Sequence, residues 1–208
     1  SNPVYTRALA DYNQALTQRN ALLKLLNERG GDRSQLDYWD EILAARAALL
    51  ITTRAVVIQE LEEIAKRVHE RLTGSKEVLR LNYQPSYDPL PAPQGQFALP
   101  MQVQVQRSGL SQEKVKQGFI ARLAELRAEE IARGITTIGP HRDEMRVLSN
   151  GIDLTDFGSR GQIRTALLSL KLAEVDWLKE KSGQWPVLLL DETLAELDTQ
   201  RRAYLLDY

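Results

Sequence analysis

The stretch from Phe157 to Asp198 constrains this chain more than any other. It reads Phe157-Gly158-Ser159-Arg160-Gly161-Gln162, then a helical pattern, then Pro186-Val187-Leu188-Leu189-Leu190-Asp191-Glu192, then Ala195-Glu196-Leu197-Asp198. A Ser-x-Gly-Gln turn that opens a helix offers a hydroxyl and backbone N–H groups to an anion, because the first N–H groups of a helix lack intrahelical acceptors and lie at its positive end. The run Val187 to Leu190 is short, continuous and apolar, which suits a strand buried on both faces, and two carboxylates stand where it runs out. One acid can hold a divalent cation and the next can orient water. Ser159 alone would be an ordinary N-cap, and Asp191-Glu192 alone could be a surface turn. The order and separation of these pieces, with Leu197-Asp198 just after, carry the signal.

The rest of the chain is read around that stretch. From Tyr5 to Asn27, Tyr5, Leu9, Tyr12, Leu16, Leu23 and Leu26 recur at helical spacing, and Arg29-Gly30-Gly31-Asp32 ends the helix. A longer helix is predicted from about Ser34 to Leu72, with Leu43, Leu50, Val57 and Ile64 at heptad spacing and Ala47, Leu61 and Val68 between them. Ile42, Leu49 and Val56 widen that stripe beyond a two-stranded seam, so the expectation is a packed antiparallel helical lobe over residues 1–74. After Gly74 the pattern alternates: Leu79, Leu81 and Tyr83 form one predicted strand, and Met101, Val103 and Val105 another. Pro85, Pro89, Pro91, Pro93 and Gly95 make the loop between them.

A third helix is predicted from Ser111, its N-cap, to Gly134, with Val115, Phe119, Leu123 and Leu126 facing inward. Gly134 to Glu144 reads as a short β-branched strand, a Gly139-Pro140 turn and a cluster of charge. In that cluster His141 and Asp143 could satisfy local backbone groups, and Arg142 could pair Asp143 or face a ligand. Ser149-Asn150-Gly151 between Met145–Leu148 and Ile152–Phe157 is a hairpin signal. The helix from Gly161 to Lys181 carries Ile163, Leu167, Leu170, Leu172, Val175 and Leu178 around much of its circumference and is expected to be largely buried.

Composition excludes several classes. With 27 basic and 28 acidic residues in 208, the net charge is −1, so no global basic footprint for nucleic acid exists and any DNA contact has to be local. Lys66, Arg67, Arg71, Lys76 and Arg80 are interrupted by Glu60, Glu62, Glu63, Glu70 and Glu77, which reads as a solvated mixed-charge face. There are no cysteines, so disulfides and thiolate metal sites are excluded, in keeping with a reducing cytosol. No apolar run is long enough to span a bilayer. No Gly-x-x-x-x-Gly-Lys-Ser/Thr phosphate loop occurs in the sequence.

Signature turn, helix, apolar strand ending in Asp-Glu, and Leu-Asp together resemble the C-terminal half of an ATP-binding-cassette ATPase head, an α/β fold. Phe157-Gly158-Ser159-Arg160-Gly161-Gln162-Ile163-Arg164-Thr165, with Leu170-Lys171-Leu172-Ala173-Glu174, is similar to the RecF family of bacterial DNA replication and repair proteins rather than to transporters. Gly139-Pro140-His141-Arg142-Asp143 resembles a hallmark of that family, and Gln18 to Lys24 resembles the segment that follows its first ATPase lobe. The resemblance implies a partial head over residues 75–208, joined to the helical lobe at 1–74 and lacking the phosphate-loop (Walker A) lobe.

By the same resemblance, Ser159 and Gly161 meet the γ-phosphate of ATP in trans, and Gln162 supports the turn. Asp191 holds Mg²⁺ through water, Glu192 polarises the attacking water, and Asp198 lies in the loop joining two heads. Arg160 replaces the glycine usual in transporters, leaving its role open, and His141, Arg142 and Asp143 are site-proximal candidates. The implied setting is cytoplasmic and nucleoid-associated, with ATP-dependent dimerisation on gapped DNA, single-strand to double-strand junctions, the RecO and RecR mediators, and help in loading a recombinase. Little or no ATP hydrolysis is expected of this chain alone. The rivals are another SMC-like or overcoming-lysogenisation-type nuclease ATPase head, which a longer coiled coil or nuclease domain would favour, and a non-catalytic helical interaction module with vestigial ATPase motifs.

Overall fold

The structure is a computed structural model that describes residues 2–90 and 107–188, together with 202, 203 and 205. The chain forms α1 (Pro3–Arg29), α2 (Gln35–Thr73), β1 (Leu79–Gln84), α3 (Gln112–Arg133), β2 (Glu144–Ser149), β3 (Ile152–Asp153), α4 (Leu154–Phe157) and α5 (Arg160–Ser182). These make two compact units: residues 1–56 with 83–144, and residues 57–82 with 145–208. Each unit is discontinuous in sequence, and α2 contributes residues to both.

The first unit is a helical bundle. Asn2 caps α1 by accepting the N–H groups of Val4 and Tyr5, and Pro3, which has no N–H to orphan, opens the helix. Tyr5 meets Arg54, Asp11 meets Arg46 and Arg19 meets Asp40, so α1 and the first part of α2 run antiparallel, as expected from the sequence. The buried line of α1 is Ala8, Tyr12, Ala15, Arg19, Leu23 and Leu26. That is a heptad-like stripe with one arginine in it. On α2 the stripe widens on the opposite side from the one expected: Ala44, Ala48, Ile51 and Ala55 are buried, whereas Ile42 and Leu49 are half-buried and Val56 is exposed. Small residues there let the helices approach closely.

Ser111 accepts the Lys114 N–H at the start of α3, and Val115, Phe119 and Leu123 are fully buried, each contributing on the order of 1.5–3 kcal/mol of transfer free energy. Leu23, Leu26, Leu36 and Ile131 close the far end of the bundle.

Residues 135–138 are not the strand that their β-branched side chains suggest. The Thr136 N–H goes to Asn20 Oδ1 (2.8 Å) and the Thr137 N–H to Glu130 Oε1 (2.6 Å), so side chains of α1 and α3 take the donors a sheet would have used.

The second unit packs α5 against the second part of α2. Glu60 accepts from Trp177 Nε1 (2.7 Å) and Lys181 Nζ (2.9 Å), while His69 faces Ser169, so these helices are antiparallel. Its core is Ile64, Ala65, Val68 and Leu72 of α2, Leu79 of β1, Leu154, and Ala166, Leu168, Leu172 and Ala173 of α5. β1 alternates buried and half-buried residues as its pattern predicts, and the sheet order is β1-β2-β3.

β2 and β3 are antiparallel with Leu148 opposite Asp153 and Ser149 opposite Ile152. Asn150 and Gly151 turn the hairpin with φ of 50° and 80°, the left-handed pair that an Asn-Gly turn supplies. Asn150 also exchanges hydrogen bonds with the backbone of Val78.

The second hairpin arm is shorter than its pattern suggests. Asp153 caps a helical turn, α4, by accepting the Thr155 N–H, so Leu154–Phe157 is helix rather than strand. The predicted strand with Met101, Val103 and Val105 and the run Leu189–Asp198 lie outside the described residues.

Candidate functional site

The Ser159–Gln162 turn stands where the sequence places it, at the N-terminus of α5. Ser159 Oγ accepts the Gln162 N–H (3.2 Å), and Gln162 Oε1 accepts the Ser159 N–H (3.1 Å). This reciprocal capping box satisfies those two backbone donors and leaves the N–H groups of Arg160 and Gly161 without intrahelical acceptors. Ser159 uses a lone pair in the cap, so its proton is available to an outside acceptor. Ser159, Arg160 and Gly161 are exposed, and among the described residues nothing beyond the adjoining chain lies within 4 Å of where a Gly161 Cβ would be and Arg160 makes no ion pair. An open turn with a donor hydroxyl, free N–H groups and a cation suits an anionic group.

Behind the turn lies a polar chain that sequence reasoning missed. Gln162 Nε2 donates to Glu77 Oε1 (3.4 Å), and Glu77 Oε2 accepts from Ser149 Oγ (2.9 Å) and meets His69 Nε2 (3.3 Å). His69 is fully buried and its Nδ1 meets Ser169 Oγ (2.9 Å). Partial burial opposes the charge on Glu77, but the hydrogen bonds from Ser149, His69 and Gln162 outweigh it and hold its pKa below the ordinary glutamate value. The only hint in the sequence is a histidine at a core position of α2.

The Gly139–Asp143 segment belongs to the first unit. A Cβ on Gly139 would run into the Tyr12 hydroxyl, and its φ of +126° excludes most side chains, so glycine is required there. Pro140–Arg142 form a 3-10 turn. Asp143 is the hub: it accepts from Tyr83 Oη (2.5 Å), Arg54 Nη1 (2.9 Å) and the Ser86 N–H (3.0 Å). Its arginine partner is thus Arg54 and not Arg142, which donates to the Thr136 carbonyl (3.2 Å). His141 Nδ1 lies 2.7 Å from Tyr12 Oη. Burial raises the Tyr12 pKa, so the phenol keeps its proton and donates, and burial lowers the His141 pKa, which suits an accepting neutral ring.

The structure therefore gives Ser159, Arg160, Gly161 and Gln162 one surface and gathers His141 and Asp143 around internal partners. Asp191, Glu192 and Asp198 lie outside the described residues.

A helix opened by an exposed Ser-Arg-Gly-Gln turn beside a small antiparallel sheet, in a largely helical chain, is the architecture of part of an ABC-type ATPase head. No family model matches the chain. It is 39% identical over 206 residues to the DNA replication and repair protein RecF of Acetivibrio thermocellus, covering 99% of this chain and 51% of that protein. With RecF of Herpetosiphon aurantiacus it shares 40% identity over 204 residues, 97% of this chain and 47% of the relative. A solved structure described as the recombination mediator protein RecF-ATPrS in the RecFOR pathway superposes with a TM-score of 0.81 at 30% identity, covering 99% of this chain and 50% of that one. A RecF-ATP structure gives a TM-score of 0.79 at 32% identity. The chain is RecF-like along nearly its whole length, and it spans about half the length of the curated relatives it matches.

Proposed function

We propose that this chain is the signature-bearing portion of a RecF-type ATPase acting in DNA replication and recombinational repair. The observation that carries the reading is the exposed Ser159–Gln162 turn on α5, in a chain similar throughout to RecF. In this reading residues 1–74 are the helical lobe and 75–208 the partial ATPase lobe. The turn binds the γ-phosphate of ATP held by a second head: Ser159 Oγ–H and the N–H groups of Arg160 and Gly161 donate to it, and Gln162 keeps the turn closed.

Arg160 adds a charge that can pair with phosphate or with the opposite head. Asp191 would hold Mg²⁺ and Glu192 would polarise the attacking water, and the cation, when bound, would supply charge neutralisation on the phosphates. Asp198 is assigned by the same resemblance to the loop that joins the two heads. His141 and Asp143 act at a distance, shaping the loop that carries them. The head cycles in the cytoplasm, on the nucleoid, between monomer and ATP-bound dimer at single-strand to double-strand junctions, with RecO and RecR as partners in loading a recombinase.

The test is ATP turnover after a phosphate-loop lobe is supplied as a separate chain, with Glu192→Gln as the control. Turnover restored by the lobe and abolished by the control supports the reading. Nucleotide retained without turnover in both forms replaces it with a binding switch.

A further inference from the structure

We infer that Glu77 is a positioning residue for the Ser159–Gln162 turn, its carboxylate tethering Gln162 to the buried His69 and to Ser149 of the hairpin. The capping box fixes the first turn of α5 to itself, but it does not fix that turn to anything else. Among the described residues the connection is made at Gln162, whose Oε1 closes the box while its Nε2 reaches Glu77. One side chain therefore couples the shape of the turn to its place in the unit. Glu77 in turn is held from two sides, by Ser149 Oγ at the end of β2 and by His69 on α2.

The hydrogen-bond accounting at His69 explains why the anchor is a carboxylate. Ser169 Oγ gives its proton to the Thr165 carbonyl at 2.7 Å, so it faces His69 Nδ1 as an acceptor. Glu77 accepts at Nε2. Serving both acceptors takes a donor on each ring nitrogen, which is the imidazolium form, and a buried cation needs a counter-ion beside it. Ser169 and Thr165 lie on α5 itself, so the chain of contacts begins and ends on the helix whose N-terminus it positions. A glutamate at residue 77 thus does two jobs, balancing His69 and holding Gln162, and an isosteric amide could do only the second.

The functional half of this inference rests on the ATPase reading, so two readouts are needed. The first is amide hydrogen exchange at Ser159 and Gln162 in the purified chain, which needs no nucleotide. Glu77→Ala is expected to speed exchange at both amides roughly tenfold. Because that variant could weaken the fold through His69, Gln162→Glu is the companion: glutamate preserves the capping box but sets a carboxylate against Glu77. It is expected to speed exchange similarly, and the double variant Glu77→Gln with Gln162→Glu, which reverses donor and acceptor, is expected to recover most of the loss.

The second readout is turnover with the phosphate-loop lobe supplied, where the single variants are expected to raise KM for ATP more than they lower kcat. Unchanged exchange in both single variants, or no recovery in a double variant whose urea midpoint matches that of Gln162→Glu, overturns the tether. If exchange responds but the unsubstituted chain shows no turnover with the lobe, the ATPase reading fails and the tether stands as a structural device.

Discussion

Arg19 carries the largest single penalty at the level of one residue. It is fully buried on α1, with Nε 2.6 Å from Asp40 of α2 and Nη1 2.7 Å from Glu130 of α3, and Nη1 also donates to Thr136 Oγ1 at 2.8 Å. Arg127 adds a second cation on Asp40 (2.8 Å), so positive and negative charges balance in the core. Breaking such a cluster from one side leaves uncompensated buried charge, and Arg19→Met is expected to cost about 3–5 kcal/mol, read as a shift in the urea midpoint at unchanged slope. His141 makes a different forecast. Its pKa is lowered in the fold, so the unfolded chain binds the proton more readily. The stability it contributes is fully present above about pH 6.5 and declines as pH falls through that value toward the lower folded one. A stability profile between pH 8 and pH 5, set against His141→Asn, is expected to show a shallower acid slope in the variant.

At the level of elements, the caps decide where helices begin. Ser159→Ala removes the acceptor for the Gln162 N–H and is expected to lower stability by about 1 kcal/mol, while raising exchange in the first turn of α5 alone. Asn150→Ala loses the side-chain bonds to the Val78 N–H and the Lys76 carbonyl and a residue suited to its positive φ, and a drop of about 1–2 kcal/mol in thermal unfolding is expected.

The elements legible in the sequence were those with local causes. Ser111, Ser159 and Asn150-Gly151 announce their caps and turns, and the long apolar periods announce α1, α2, α3 and α5. Of the elements misread, one was decided by a distant partner and one by a cap inside an apolar pattern. Thr136 gives its N–H to Asn20, which is 116 residues away, so a β-branched run became irregular chain. Leu154–Phe157 continued an apolar pattern, yet Asp153 turned it into helix. Ile163 and Leu167 look like core on a helical wheel, but they lie 36% and 56% exposed, since only the face with Ala166, Leu168, Leu172 and Ala173 meets α2. The turn at Ser159 was legible from its own residues. Its anchor was not, because Glu77 lies 85 residues from Gln162 and His69 lies 100 from Ser169. Nor was Arg19, except as the position between Leu16 and Leu23 that a continuous stripe needs filled.

For the whole molecule, the forecast concerns what the chain does unaided. Its sequence holds the Ser159–Gln162 turn and the Asp191-Glu192 pair but no phosphate loop, so it offers no lysine or glycine cradle for the β- and γ-phosphates. Purified alone, it is expected to release no phosphate from ATP above the Glu192→Gln background. Any DNA contact is expected to be weak at physiological salt, because acids of α2 hold cations of its neighbours: Glu62 pairs Arg80 of β1, and Glu60 pairs Lys181 of α5.

The divided course of the chain also bears on how it is made. α1 and the first part of α2 leave the ribosome before α3, carrying Arg19 and Asp40, and Glu130 and the Asn20 partner Thr136 are synthesised about a hundred residues later. In the interval the residues of the other unit from Val57 to Asn82 have already emerged. The nascent helical hairpin therefore waits, with Arg19 paired to Asp40 alone and the Phe119 face absent, through the translation of a segment that belongs elsewhere. A slowing of synthesis between Asp40 and Thr136 would lengthen the exposure of that half-built core, and the place of rare codons in the gene becomes a matter of folding rather than of expression alone.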